Sequence, residues 1–339
     1  MKDLLPQRLH ARGGAPRIKK IPALMADVPA AWTLWQPLRG MPSLSPAVLA
    51  ETLDGGQAFR WQRLPDNSWL GLWGTHVARL RLDARDQVEW SAPVGMGDAV
   101  GPALARYLGL DRDFAGLTDT LPWRSDPHLA RCVGSLAGLR ILRQPFGETL
   151  LGFLCSATKQ IVQIKQMIAL LAGRHGARLL TEVGSDEALR GLRTAKGSAA
   201  PAFHRLPTWD ELARVPEMEL RACLLGFRAR YISQTAHYLA AHPGWLEETE
   251  TLPYLEAKER LCSLPGVGEK VADCVLLFGA GRLEAFPVDV WILKTLVRRY
   301  GLDGWSTPQL AQFGRVHFGS LAGLAQQFLF AWERQDARK

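Results

Sequence analysis

From about residue 56 to 91, apolar and polar positions alternate in short runs. Phe59-Arg60-Trp61-Gln62, Trp69 to Trp73, His76 to Leu82 and Val88 to Trp90 are divided by Pro65-Asp66-Asn67-Ser68, Gly74-Thr75 and Asp83-Ala84-Arg85-Asp86. This is the pattern of strands joined by tight turns. Ala78, Leu80 and Leu82 alternate with Arg79 and Arg81, so an antiparallel sheet with one wet face is expected. Segments near 46–53 and 98–109 carry helical spacing. Beyond about residue 140 the period lengthens. Leu150, Leu151, Phe153 and Leu154, then Ile161, Ile164, Met167, Ile168 and Leu171, recur as on one face of a helix. Further helices are predicted over roughly 208–223, 228–241, 253–262, 269–280, 288–300, 307–317 and 319–334, with Gly176, Gly244, Gly281, Gly301 and Pro308 as stops.

These periods divide the chain into an α+β N-terminal domain (29–140), an antiparallel sheet with helices, and a mostly α-helical domain (141–339). Residues 1–28 are rich in Pro, Gly, Arg and Lys without periodicity and read as a basic, flexible tail. Residues 181–206 are small and polar and read as a surface loop. No repeat of fixed period is present.

Composition narrows the class. The chain has 339 residues, 47% hydrophobic and 22% charged, enough to bury a substantial core. No run approaches the eighteen apolar residues of a membrane span, and the first twenty residues lack a secretory apolar segment. Five scattered cysteines (Cys132, Cys155, Cys223, Cys262, Cys274) form no CxxC pair, which points to a reducing, intracellular setting. The formal charge of +8 suggests a polyanionic partner. Six basic residues against Asp3 alone stand in the first twenty positions, however, so most of the excess belongs to the tail. Function has to be read from sites.

The most informative segment is Leu264-Pro265-Gly266-Val267-Gly268-Glu269-Lys270-Val271-Ala272-Asp273-Cys274. One apolar helix ends near Cys262 and a second begins near Glu269, with a tight turn between them. Gly266, Val267 and Gly268 let a ligand approach the main chain, and the free amides opening the second helix favour a phosphate. A plain helical corner would read the same way. Lys270 sits in the first turn of an otherwise apolar helix, a setting that favours the uncharged amine a nucleophile needs. Alternatively it is a solvated lysine paired with Asp273 at i+3. In Phe286-Pro287-Val288-Asp289-Val290, the aspartate precedes an apolar helical run and makes a good N-cap. It could equally stabilise positive charge on a sugar beside the amine.

Leu264 to Cys274 followed by Phe286 to Val290 resembles the helix–hairpin–helix DNA glycosylases with a Gly/Pro-rich loop and catalytic aspartate (HhH-GPD). Gly55-Gly56-Gln57-Ala58-Phe59-Arg60-Trp61, Leu142-Arg143-Gln144, Phe153-Leu154-Cys155-Ser156, Leu225 to Tyr231 and Ala325 to Phe330 are similar, in the same order, to 8-oxoguanine DNA glycosylases/AP lyases. The resemblance spans roughly residues 35–334. It implies a bifunctional enzyme in which Lys270 attacks C1′, expels the base through a Schiff base and nicks the strand, while Asp289 stabilises developing charge. It further implies that Gly56 accepts the N7 hydrogen of the oxidised base, that Gln326 reads its pairing edge, and that Phe330 and Cys274 contact its two faces. The nucleotide must leave the duplex. Phe227 would fill the gap and Arg228 would contact the orphaned cytosine. Taken singly, Phe227 and Phe330 would be core aromatics, Gln326 a solvated helix residue and Gly56 a simple turn.

Several positions depart from the family pattern. Thr158-Lys159-Gln160 replaces a run of asparagines, Gln163 stands where an arginine is usual, Trp291 replaces a histidine and Glu333 an aspartate. Since Thr158 and Gln163 fall where the opposite strand is read, weaker discrimination for cytosine opposite the lesion is expected. The implied partner is double-stranded DNA containing oxidised guanine, with ring-opened purines left open, and no membrane. A monomer is expected, cytoplasmic or nucleoid-associated in a prokaryote and nuclear in a eukaryote. No cofactor is expected: no cysteine follows Cys274 to hold an iron–sulfur cluster, while a structural cation at the hairpin stays open. The competing readings are a monofunctional glycosylase for alkylated bases that uses water, and a non-catalytic hairpin module that only binds DNA.

Overall fold

The computed structural model describes residues 32–179 and 203–336; the basic tail and most of the predicted 181–206 loop lie outside them. Strands β1 (Gln36–Pro37), β2 (Trp61–Arg63), β3 (Trp69–Trp73), β4 (His76–Leu82) and β5 (Val88–Ser91) form one antiparallel sheet in the order β1-β5-β4-β3-β2. The hairpins fall where the turn residues stand: Trp73 pairs with His76 across Gly74-Thr75, and Leu82 with Val88 across the Asp83–Gln87 turn. β1 was not predicted, being two residues long beside an edge. Ala78 and Leu80 face the core as expected. The opposite face is not simply wet. Leu70 and Val77 are covered there by Phe203, with Trp32 alongside, in a second small apolar cluster. Local alternation could not foresee a segment returning from far along the chain.

Helices Pro46–Asp54 and Gly97–Tyr107 pack around the sheet, where Trp61 is fully buried and stacks on Trp73 with ring centroids 6.0 Å apart. The rest of the described residues are mostly helical, and 228–241, 254–262, 290–300 and 307–318 lie within two residues of expectation. The expected 208–223 helix is broken instead into Trp209–Ala213, Glu217–Leu220 and a wide turn Arg221–Leu225. Helix Glu269–Val275 likewise loosens into a wider turn through Ala280. Helix Pro127–Ser135 was missed; it packs on the last helix, Ala322–Asp336. One apolar core runs from Leu38 to Ala331, and each fully buried Leu or Phe contributes about 1.5–3 kcal/mol.

Among the described residues, no helix is long and apolar enough to cross a membrane.

Candidate active site

The hairpin joins helices Tyr254–Cys262 and Glu269–Val275. Val267 pins the turn: its side chain enters the core, and its amide donates to the Leu264 carbonyl at 3.1 Å. Gly266 has φ +78°, and a Cβ there would stand 2.7 Å from the Tyr231 ring, so the position needs glycine. A Cβ on Gly268 would meet nothing within 4 Å, which leaves the main chain open to approach.

Lys270 is half-buried at the second position of the hairpin's second helix. Its Nζ lies 3.5 Å from Ser156 Oγ, 5.2 Å from the centre of the Phe153 ring, and beside the Cys274 thiol one turn along. The alternative pairing with Asp273 does not occur. Asp273 is turned into the preceding helix, where it accepts from the Tyr254 hydroxyl at 2.7 Å and Lys258 Nζ at 3.2 Å. Residues three apart are offset around a helix, and here a neighbouring helix captures the carboxylate first. Among the described residues, no carboxylate forms an ion pair with Lys270, whose amine stays half-buried against Ser156 and Phe153.

Asp289 caps helix Val290–Tyr300, its Oδ1 accepting from the Ile292 amide at 2.9 Å. Burial pushes its carboxyl above the ordinary carboxylate range. The Ile292 amide, the Lys270 charge, the Trp291 amide and the Arg334 charge pull the other way. It is therefore both a cap and an electrostatic neighbour of the lysine, and the two readings of the sequence are not exclusive. Burial also pushes the Cys274 thiol up to about 12, so at neutral pH it is a small neutral contact surface.

The base-pocket candidates converge from opposite ends of the chain. Gly56 has φ +110°, and a Cβ there would lie 3.2 Å from Ile161 Cδ1 and 3.6 Å from the Phe330 ring. The flanking Gln57 is fully buried: its Nε2 donates to the Arg140 carbonyl at 2.9 Å and its Oε1 accepts from the Leu142 amide at 3.0 Å. That clamp fixes the glycine turn to the junction with the helical half. Gln326, one turn before Phe330, is 4% exposed, yet its Oε1 has no hydrogen-bond partner. A buried polar atom left unmatched is costly, and it marks where a ligand would supply a donor.

The broken helix explains the wedge candidate. Leu224 (φ +65°) and Gly226 (φ +58°) twist the chain so that Phe227 emerges 53% exposed, with the Arg228 guanidinium 4.4 Å from its ring centre. Arg228 does not extend into solvent. It is 3% exposed and donates to the carbonyls of Leu225 and Ala157 and to Thr158 Oγ1 at 3.0 Å. It thus bolts the loop carrying Thr158, itself left-handed at φ +54°, to the wedge turn. Gln163 is exposed, but its Oε1 accepts from the Gln160 amide at 3.2 Å and caps helix Ile161–His175.

A family model described as the 8-oxoguanine DNA glycosylase N-terminal domain matches residues 42–150. Over 347 aligned residues the chain is 32% identical to the Arabidopsis thaliana N-glycosylase/DNA lyase OGG1, spanning 97% of this chain and 84% of that protein. The chain belongs to the 8-oxoguanine DNA glycosylase/lyase family. The Saccharomyces cerevisiae N-glycosylase/DNA lyase is 32% identical over 276 residues, 75% of this chain and 69% of that one. The crystal structure of the Clostridium acetobutylicum 8-oxoguanine glycosylase/lyase with double-stranded DNA containing cytosine opposite 8-oxoguanine superposes with a TM-score of 0.73. That pair is 31% identical, over 85% of this chain and 92% of the other.

Within this family member, sequence reasoning assigned no role to Ser156 and Phe153, which cradle the lysine amine, or to Ile161, which walls Gly56. The conspicuous signal was the Phe153–Ser156 segment standing among the similar blocks. Among the described residues, no group of three or more His, Cys, Asp or Glu side chains gathers as a metal site would require.

Proposed function

We propose that this protein excises 8-oxoguanine from duplex DNA and then cleaves the strand at the emptied sugar. The observation that carries the reading is the Lys270 amine, in no ion pair among the described residues, within electrostatic reach of the buried capping carboxylate of Asp289, while Gln326 on the last helix holds a buried oxygen that lacks a donor.

Phe227, held out of the core, enters the stack as the damaged nucleotide leaves it, offsetting part of the unstacking cost. The extruded base lies between the Phe330 ring and the Cys274 thiol. Its N7 hydrogen, absent from guanine, donates to the Gly56 carbonyl, and its pairing edge meets Gln326. The hairpin main chain at Gly266 and Gly268 grips a backbone phosphate, with Val267 anchoring the turn between them. The Lys270 amine, giving up a proton to water, attacks C1′ and the N-glycosidic bond breaks, its electron pair leaving with the base. Asp289, as carboxylate, stabilises the positive charge on the sugar, an effect worth about 3 kcal/mol. Opening of the sugar ring converts the amine adduct to an iminium. Loss of a C2′ proton then expels the 3′ phosphate by β-elimination.

The test is product analysis on a duplex with a single 8-oxoguanine. Release of the free base together with strand scission that needs no alkali is expected. Base release with scission only after alkali would point to a water-using glycosylase, and binding without release to a DNA-binding module.

A further inference from the structure

Arg334 lies four residues beyond Phe330 on the last helix, so the two share a face. It is 7% exposed. A guanidinium is buried at such cost that its donors must be met. One nitrogen, Nη1, donates both to Glu51 Oε1 at 2.9 Å and to the Gly55 carbonyl. The planar head lies 5.2 Å from the centre of the Phe330 ring. Glu51, 6% exposed on helix Pro46–Asp54, completes the cluster, and its Oε1 would sit 2.3 Å from a Cβ at Gly55. Gly55 is therefore the residue that lets this ion pair close over the turn. The Gly55 carbonyl and the Gly56 amide are one rigid peptide unit, so holding that carbonyl fixes the orientation from which Gly56 continues. Two glycines in succession would otherwise leave the turn loose.

Resting on the base-pocket roles proposed for Gly56 and Phe330, we propose that Arg334 is a positioning residue that sets discrimination between 8-oxoguanine and guanine. Its planar fork holds the Gly55–Gly56 peptide and the Phe330 ring at a fixed separation. The Gly56 carbonyl then meets the N7 hydrogen of the oxidised base and opposes the bare N7 of guanine. Glu51 neutralises the arginine and keeps the fork oriented. Neither residue touches the substrate. Lysine in place of arginine would keep the charge, but it lacks the planar, multiply donating head that serves both contacts.

The test uses the full chain with Arg334→Lys and with the double variant Glu51→Leu/Arg334→Met, which removes both charges so that neither is left buried and unpaired. Three rates are measured: release of 8-oxoguanine, release of guanine, and cleavage of a duplex carrying a preformed abasic site. The last needs Lys270 but no base pocket. Both variants should melt near the parent temperature, release 8-oxoguanine about tenfold or more slowly, and narrow the 8-oxoguanine-to-guanine ratio. Cleavage of the abasic duplex should stay within about threefold of the parent. The proposal is overturned if either variant excises 8-oxoguanine at the parental rate with its ratio intact. It is equally overturned if excision and abasic cleavage fall together with the melting temperature. Failure of the parent protein itself to release 8-oxoguanine would instead sink the functional reading on which this rests.

Discussion

Replacing Asp289 by asparagine separates the capping role from the electrostatic one. Asparagine keeps an oxygen where Oδ1 accepts from the Ile292 amide at 2.9 Å. Asn and Asp are nearly equal as N-caps, whereas alanine at a cap costs about 1 kcal/mol. The asparagine variant also escapes the desolvation that pushes the native carboxyl up. At neutral pH it should therefore melt at or above the parental temperature. Its excision rate should nevertheless fall, because the negative charge facing the developing positive sugar is gone. A loss of about 3 kcal/mol corresponds to roughly a hundredfold. The assay is single-turnover release of 8-oxoguanine with enzyme in excess, paired with thermal melting and equilibrium duplex binding, which should change little. An asparagine variant excising within about threefold of the parent would refute the reasoning. So would a loss of activity explained by a lowered melting temperature. The pH dependence has a definite sign. A carboxyl raised in the folded state adds stability that is complete below its unfolded value and is lost as pH rises through the folded one. The asparagine variant should lack that decline. Activity runs the opposite way, since the carboxylate is the working form: the acid limb of kcat/KM should lie above the usual carboxylate range.

Other consequences are equally open to measurement. Phe227→Ala should leave melting unchanged, the side chain being 53% exposed, while slowing excision from duplex about tenfold through the lost wedge. Gly266→Ala places a Cβ 2.7 Å from the Tyr231 ring at φ +78°, so unfolding free energy should drop by about 1–3 kcal/mol in a denaturant titration. Excision against the four opposing bases should differ by less than about tenfold, for want of the bidentate base contacts that each contribute about 1–3 kcal/mol. By the resemblance Thr158 and Gln163 would stand where the opposite strand is read, and Arg228 is already engaged by Ala157 and Thr158. A strong preference for cytosine would contradict this. Cys274, with a thiol pushed up to about 12 and only 4% exposed, should resist alkylation at neutral pH until the protein unfolds.

Much of this architecture was legible because each element carries its own period. The β3–β4–β5 meander and helices 228–241 and 254–262 are specified by local alternation and stop residues, and they formed within a residue or two. What escaped was decided by distant segments. Phe203 covers the outer face of β4, β1 depends on β5 for its pairing, and helix 127–135 draws its packing from the last helix. The site divides in the same way. Locally a first-turn lysine and a capping aspartate are ordinary, so Lys270 and Asp289 were singled out by the resemblance of the segments that carry them; the structure sets the two within electrostatic reach of each other. Whether Asp273 would pair with Lys270 was open from the sequence, since its choice lay with Tyr254 and Lys258 on another helix. Nothing local marked Arg334 either, whose role arises from Glu51 and Gly55 at the far end of the chain. The kink that presents Phe227 rests on a left-handed leucine, Leu224, a conformation no propensity favours.

Treating the enzyme and an 8-oxoguanine duplex with borohydride during turnover probes the pivotal chemistry most directly, because reduction freezes an imine into a stable amine bond. A denaturation-resistant protein–DNA adduct is predicted, attached through Lys270 and absent when that residue is changed to glutamine. Base release that proceeds without any adduct, or an adduct that survives Lys270→Gln, would contradict the account.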